Sequence, residues 1–352
     1  AKDLIIDAGN ANYHDTNRRA EEAAVKGPRF MGIGVSGGEE GARFGPSIMG
    51  GGAKDAWDQV GHILEAISAK HGETPCAAYL GEAGAGHLVK TVHNGIEYAD
   101  MQIIAEIYGL MRNGAALSPS EIGALFGEWN AGSLHSFLVE VTAEVLAATD
   151  PQTGHPVVDV IKDAAGQKGT GRWTVIEALR LGQSASAIEA AVGARSWSSE
   201  KEMRQAAEAV LGGAVGAIGA TPEVLAEAFL AARLLAYAQG FRVIAAASEE
   251  YGWSLDPAVI ARIWRAGCII RADLLDDIAD AFAHGAPQGE LLLAPGFAER
   301  LVRHLPALRQ VVAEAVHAGH PVPALAAALS WYDTMRRGHG TAGLIQAQRD
   351  RF

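Results

Sequence analysis

Cysteine is scarce in this chain of 352 residues, with only Cys76 and Cys268 present. A disulfide framework is excluded, one bridge at most can form, and a reducing compartment is the simpler reading. Long apolar runs are missing too. None approaches the ~18 residues of a membrane span, and the N-terminus lacks the basic-then-apolar order of a signal peptide. The expectation is a cytoplasmic protein without a membrane partner. Positive charge is in deficit, 29 Lys and Arg against 41 Asp and Glu, for a formal net charge of −12. That field excludes nucleic acid and anionic lipid as partners held by global attraction, whereas a small anionic substrate needs only local cations. The composition is not that of a disordered chain either, being 49% hydrophobic and 20% charged.

Glycine is what the chain has in plenty: 42 residues, against an average usage of roughly 7%. The glycines cluster in loops, a pattern suited to anion binding by backbone amides. Short apolar runs at 4–7, 29–32 and 76–80 alternate with helical patterns at 15–26 and 55–70. That alternation predicts βα units of a parallel sheet. Three strands leave an open edge, so residues 1–82 read as the C-terminal half of a larger doubly wound α/β domain. The chain starts at Ala1 without Met, directly at a strand, and is expected to be a fragment of something longer. From His87 onward strand patterns vanish. Helices are predicted at 87–111, 118–128, 133–148, 173–181, 223–250, 257–266, 270–284, 296–318 and 322–337, an all-α domain over 83–337. An echo between Tyr98…Tyr108 and Tyr237…Tyr251 suggests a duplicated helical unit. Residues 338–352 read as a polar tail outside the core.

The most informative segment runs from Gly84 to Tyr98. At ~100° per residue, with Lys90 at 0°, His93 falls near 300°, Asn94 near 40°, Glu97 near 340° and Tyr98 near 80°. Five different polar groups share one arc, and Val89, Val92 and Ile96 share a separate apolar one. A solvated helix face is one reading; a set of base, acid and hydrogen-bonding groups is the other, and the variety of side chains favours it. Metal binding is not expected: His93 and Glu97 have ligand spacing, but no further ligand stands nearby and Lys90 would repel the ion.

Gly32-Ile-Gly34-Val-Ser-Gly37 matches G-x-G-x-x-G, but Gly38–Pro46 does not read as the helix a dinucleotide fingerprint should open. Ser36, Gly37 and Gly38 form either an anion nest or a plain turn. Ala165–Trp173 brings Lys168 and Thr170 together in small-residue sequence at a helix start, either an anion site or a simple helix N-terminus. Arg195, Arg271 and Arg349 are isolated arginines, each a candidate phosphate clamp or an ordinary surface residue.

In order along the chain, Asp7–Arg19, Gly34–Arg43, His87–Tyr98, Ala165–Trp173, Trp264–Arg271 and Leu344–Phe352 closely resemble segments of 6-phosphogluconate dehydrogenases, the decarboxylating enzymes; Ile188–Arg195 is a looser match. The resemblance implies a Rossmann-like α/β remnant, a large duplicated all-α domain and a C-terminal tail that reaches the partner subunit of a homodimer. It implies oxidative decarboxylation of 6-phosphogluconate to ribulose 5-phosphate with NADP. In those roles Lys90 is the general base and Glu97 the general acid. Ser36, Gly37 and Gly38 hold the carboxylate, and Asn10, His93 and Asn94 the hydroxyls, with Asn10 also at the cofactor. Tyr98, Lys168, Thr170, Arg195 and a second subunit's Arg349 hold the phosphate. Against the family pattern, the N-terminal nucleotide-binding segment is expected to be missing, Asp7-Ala-Gly-Asn-Ala replaces Asp-Gly-Gly-Asn-Ser, and no tail His follows Phe352. The alternatives are another β-hydroxyacid dehydrogenase, which needs no phosphate set, and an inactive truncated dimeric scaffold.

Overall fold

The computed structural model describes residues 3–352. The chain opens with β1 (Leu4–Asp7), α1 (Tyr13–Lys26), β2 (Arg29–Gly32), β3 (Gly34–Ser36), α2 (Gly38–Phe44), β4 (Ser47–Gly51), α3 (Lys54–Ile67), a small hairpin β5 (Lys70–His71) and β6 (Thr74–Pro75), and β7 (Ala77–Gly81). β1 and β2 pair in parallel, from Leu4 opposite Arg29 to Asp7 opposite Gly32. β3, β4 and β7 form a second sheet, antiparallel at β3–β4 and parallel at β4–β7. A bridge between Met31 and Gly52 joins the two.

Three sequence expectations are corrected here. The glycine-rich stretch from Gly32 to Gly52 is not a loop, and the sheet is mixed. A Cβ on Gly50 would stand 2.3 Å from the Trp57 ring and one on Gly51 2.5 Å from the Gly86 nitrogen, so these glycines are close-packing residues of β4. Gly38–Phe44 is also helical after all. Glu39 and Glu40 sit in its first turn and Arg43 in its last, the arrangement that suits the helix dipole.

The helical part comprises α4 (Ala85–Gly109, continued by one π turn), α5 (Pro119–Asn130), α6 (Phe137–Ala147), the single turn α7 (Val157–Val160), α8 (Thr170–Arg180), α9 (Ser186–Ser199), α10 (Lys201–Leu211), α11 (Pro222–Tyr251), α12 (Pro257–Ile263), α13 (Leu274–Ala283), α14 (Pro295–His317), α15 (Pro323–Met335) and α16 (Ala342–Arg349). The Ser- and Ala-rich α9 has no clear apolar stripe in sequence; α10 has one, Met203, Ala206, Ala207, Val210 and Leu211, and neither helix is among those predicted from the sequence. The tail expected to lie outside the core is exposed throughout, yet it carries α16.

α4 and α11 run through one continuous hydrophobic core. Gly240 on α11 lets the backbones close in, since a Cβ there would lie 2.5 Å from Ile96. Beside that contact the Arg233 guanidinium takes the Asp100 carboxylate at 2.8 and 3.1 Å, with both side chains buried, and also reaches Leu134 O and Ser136 Oγ. A fully paired buried ion pair fixes register as well as distance. By length and composition α11 is the one described helix that could cross a membrane, but its apolar residues are buried in this core.

Candidate active site

α4 begins where β7 ends, so its first turns lie against the strand ends of the α/β part. Gly86 and Gly34 allow this: a Cβ on Gly86 would meet Met49 O at 2.3 Å, and one on Gly34 would meet Lys90 Cβ at 2.4 Å. The polar arc of α4 therefore faces protein, not solvent. Lys90 is 6% exposed and His93 0%; Asn94 and Tyr98 are buried as well. The solvated-face reading fails.

The buried groups form one chain of contacts. Lys90 Nζ donates to Asn94 Oδ1 at 2.5 Å and lies 3.3 Å from His93 Nδ1. His93 Nε2 is 3.3 Å from Ser36 Oγ, and Asn94 Nδ2 donates to Thr170 Oγ1 at 2.9 Å. Glu97 sits at the mouth of the arc, its Oε2 3.9 Å from His93 Nδ1. Burial drives the Lys90 ammonium down to about 8, against a smaller opposing pull from Glu97. Burial likewise pushes the Glu97 carboxyl above its ordinary range, opposed by Lys90 and Arg195. His93 is held neutral by burial and by Lys90. Burial thereby lowers the proton affinity of an amine and raises that of a carboxyl on one helix face, bringing the two toward each other, the condition for a paired base and acid.

α8 closes the arc. Thr174 Oγ1 donates to Thr91 O at 2.7 Å, and Gly171 admits the Tyr98 ring, which a Cβ would meet at 2.5 Å. On the outer face of that ring lies the Arg195 guanidinium, 3.6 Å from the centroid. Lys168, two residues before Thr170, is exposed and makes no hydrogen bond or ion pair among the described residues. Gly37 caps α2 with φ 138°, and a Cβ there would stand 2.6 Å from Gly267 O, so only glycine fits beside Ser36.

The structure thus joins Ser36, Lys90, His93, Asn94, Glu97, Thr170, Tyr98 and Arg195. Asn10 is exposed in the turn after β1, and Arg349 is exposed on α16; neither bonds to the arc among the described residues. Arg271 is not a free clamp, being paired with Glu40 and stacked on Phe137 at 3.7 Å. Two neighbours had no assigned role in the sequence reading. Trp264 meets His93 edge-on at 5.4 Å, and the buried Cys268 thiol is pushed up to about 12 by burial. Nothing in their spacing links them to α4, since the contact spans more than 170 residues. Cys76 and Cys268 are both free and buried.

A nicotinamide dinucleotide fits these residues at its reacting end. The turn carrying Asn10 stands at the carboxyl end of the parallel β1–β2 pair, where open α/β sheets take such ligands. Gly32 and Gly34 are not phosphate-cradling glycines, because each is filled by a packed side chain, Thr16 and Lys90 respectively.

Two family profiles match the chain: "6-phosphogluconate dehydrogenase, C-terminal domain" over residues 86–352 and "NAD binding domain of 6-phosphogluconate dehydrogenase" over residues 1–81. The expectation that the nucleotide-binding segment is missing is therefore not borne out as stated. A Bacillus subtilis protein named 6-phosphogluconate dehydrogenase, NAD(+)-dependent, decarboxylating is 46% identical over 99% of this chain and 76% of its own length. A Klebsiella pneumoniae 6-phosphogluconate dehydrogenase, decarboxylating, is 49% identical over 99% and 76%. Among solved structures, Plasmodium falciparum 6-phosphogluconate dehydrogenase, described in its apo form, with its cofactor NADP+ and with its substrate 6-phosphogluconate, superposes with a TM-score of 0.95 at 40% identity, covering 99% of this chain and 76% of that one. Fold, order of segments and identity along nearly the whole chain agree, and the chain belongs to the 6-phosphogluconate dehydrogenase family.

Proposed function

We propose that the chain catalyses oxidative decarboxylation of 6-phosphogluconate to ribulose 5-phosphate and carbon dioxide, with NADP as oxidant. The observation that carries this reading is the buried Lys90 amine, lowered to about 8 and sharing a helix face with a carboxyl raised by the same burial. When bound, the dinucleotide supplies the acceptor for the hydride leaving C3, and Asn10 would hold its reacting end. Lys90 takes the C3 hydroxyl proton as that hydride departs. The β-keto acid then loses carbon dioxide while the Lys90 ammonium returns its proton to the new carbonyl oxygen. Glu97 protonates C1 of the enediol, and Lys90 accepts the C2 hydroxyl proton as the ketone forms. The pair ends with Lys90 charged and Glu97 ionised, and one proton passed between them restores it.

Ser36, Gly37 and Gly38 are assigned to the carboxylate, and Asn10, His93 and Asn94 to the hydroxyls. Tyr98, Lys168, Thr170, Arg195 and Arg349 of the partner subunit are assigned to the phosphate. That last role requires a homodimer whose tail, residues 338–352, crosses to the other site. The exposed Leu344, Ile345 and Phe352 of the tail are apolar groups that such a crossing would cover. The test is dinucleotide reduction on mixing the chain with 6-phosphogluconate, with carbon dioxide released in equal amount. NAD is assayed beside NADP, since a relative is named for it. No reduction with either dinucleotide refutes the reading.

A further inference from the structure

A second polar cluster lies outside the roles just assigned. Tyr251, at the end of α11, donates its hydroxyl to Glu177 Oε1 at 3.1 Å and lies 2.8 Å from the Tyr13 hydroxyl. His14 Nε2 is 3.3 Å from the other Glu177 oxygen, and Arg180 reaches the Tyr251 hydroxyl at 2.8 Å and that of Tyr13 at 3.3 Å. The Glu177 side chain is 4% exposed. Burial pushes both tyrosine hydroxyls up, so they stay neutral donors. A carboxylate this deeply buried, with three different elements converging on it, needs a reason, and none of its partners belongs to the α4 arc.

The placement supplies one. Tyr13 and His14 are the first two residues of α1, directly after the turn that holds Asn10. Glu177 stands seven residues, about two turns, beyond Thr170 on α8 and so on the same side of that helix. The cluster therefore ties the Asn10 turn to the helix that carries Thr170, across a cleft of about 220 Å³ lined also by Leu88, Thr91 and Trp173. Resting on the proposed function, one substrate molecule must span those two places, hydroxyls at one end and phosphate at the other.

We propose that the Glu177–Tyr251–Tyr13 cluster is a spacing clamp, a set of positioning residues that fixes the separation of the Asn10 turn from the phosphate loop and so selects sugar acids of matching length. The probes are 6-phosphogluconate and gluconate, titrated calorimetrically into the unmutated chain and into Tyr251→Phe. That variant loses the hydroxyl hub but keeps the ring stacked on Trp253. With the clamp loosened, the phosphate no longer helps seat the hydroxyls, and the preference for 6-phosphogluconate over gluconate falls about 10-fold. Glu177→Gln, of nearly the same shape, gives the same loss. Equal weakening of both ligands is what a purely structural role produces, and overturns the clamp. If the unmutated chain binds neither ligand, the proposed function fails instead, and amide hydrogen exchange still decides. Tyr251→Phe must then speed exchange both at 10–14 and at 165–172, and a change confined to the end of α11 overturns the proposal.

Discussion

The two ends of the proposed site are built on opposite terms. On α4, Lys90, His93 and Asn94 are sealed in the interior and bonded to one another. At the other end Lys168 stands in solvent, and Arg195 is anchored by the Tyr98 ring and by contacts to Gly166 O and Met101 Sδ. A base must have its proton affinity tuned, and burial on a rigid helix does that. A phosphate already carries its charge, so its partners need reach and a permanent cation, and burial would only cost desolvation. The base sits where the protein is dense, the phosphate's cations where it is open.

Substitutions should separate the two ends. The largest effect is expected at Lys90. Lys90→Met should remove both oxidation and the decarboxylation of a supplied 3-keto acid, because one nitrogen serves both steps, with a loss of at least about 10²–10⁴-fold in kcat. A variant that still decarboxylates the keto acid at the unmutated rate breaks the assignment. Glu97→Gln comes next. Oxidation and carbon dioxide release should partly survive, while solvent tritium enters C1 of ribulose 5-phosphate about 10²–10⁴-fold more slowly. Exchange at the unmutated rate would leave Glu97 a binding residue only. At the open end, Lys168→Ala or Arg195→Ala should raise KM for 6-phosphogluconate about 10–100-fold, the value of a charged hydrogen bond, with kcat nearly kept. Equal effects on gluconate would show that neither residue meets the phosphate.

The same contrast explains what was legible in the sequence. The polar arc of α4 follows from the helical period alone, because five dissimilar side chains at that spacing survive any packing. Whether the arc faces water or protein does not follow. That depends on Gly34, Gly86 and Gly171 letting β3, β4 and α8 press against α4, contacts between residues far apart in the chain. The glycine-rich stretch misled for the same reason: Gly50 and Gly51 serve packing in β4, and a single sequence shows glycine without showing which neighbour needs it. The Trp264–Cys268 wall and the Glu177 cluster were invisible, since each is assembled only when distant elements meet.

The pH profile of kcat/KM tests the central claim most directly, namely that burial makes Lys90 a base near neutral pH. In the unmutated chain kcat/KM should rise with pH along a limb centred near about 8, as the Lys90 ammonium loses its proton. The negative charge of Glu97 raises the Lys90 value. Removing that charge in Glu97→Gln should therefore move the limb to lower pH. A limb that stays in place, or shifts upward, would contradict the pairing of Lys90 with Glu97 on which the account rests.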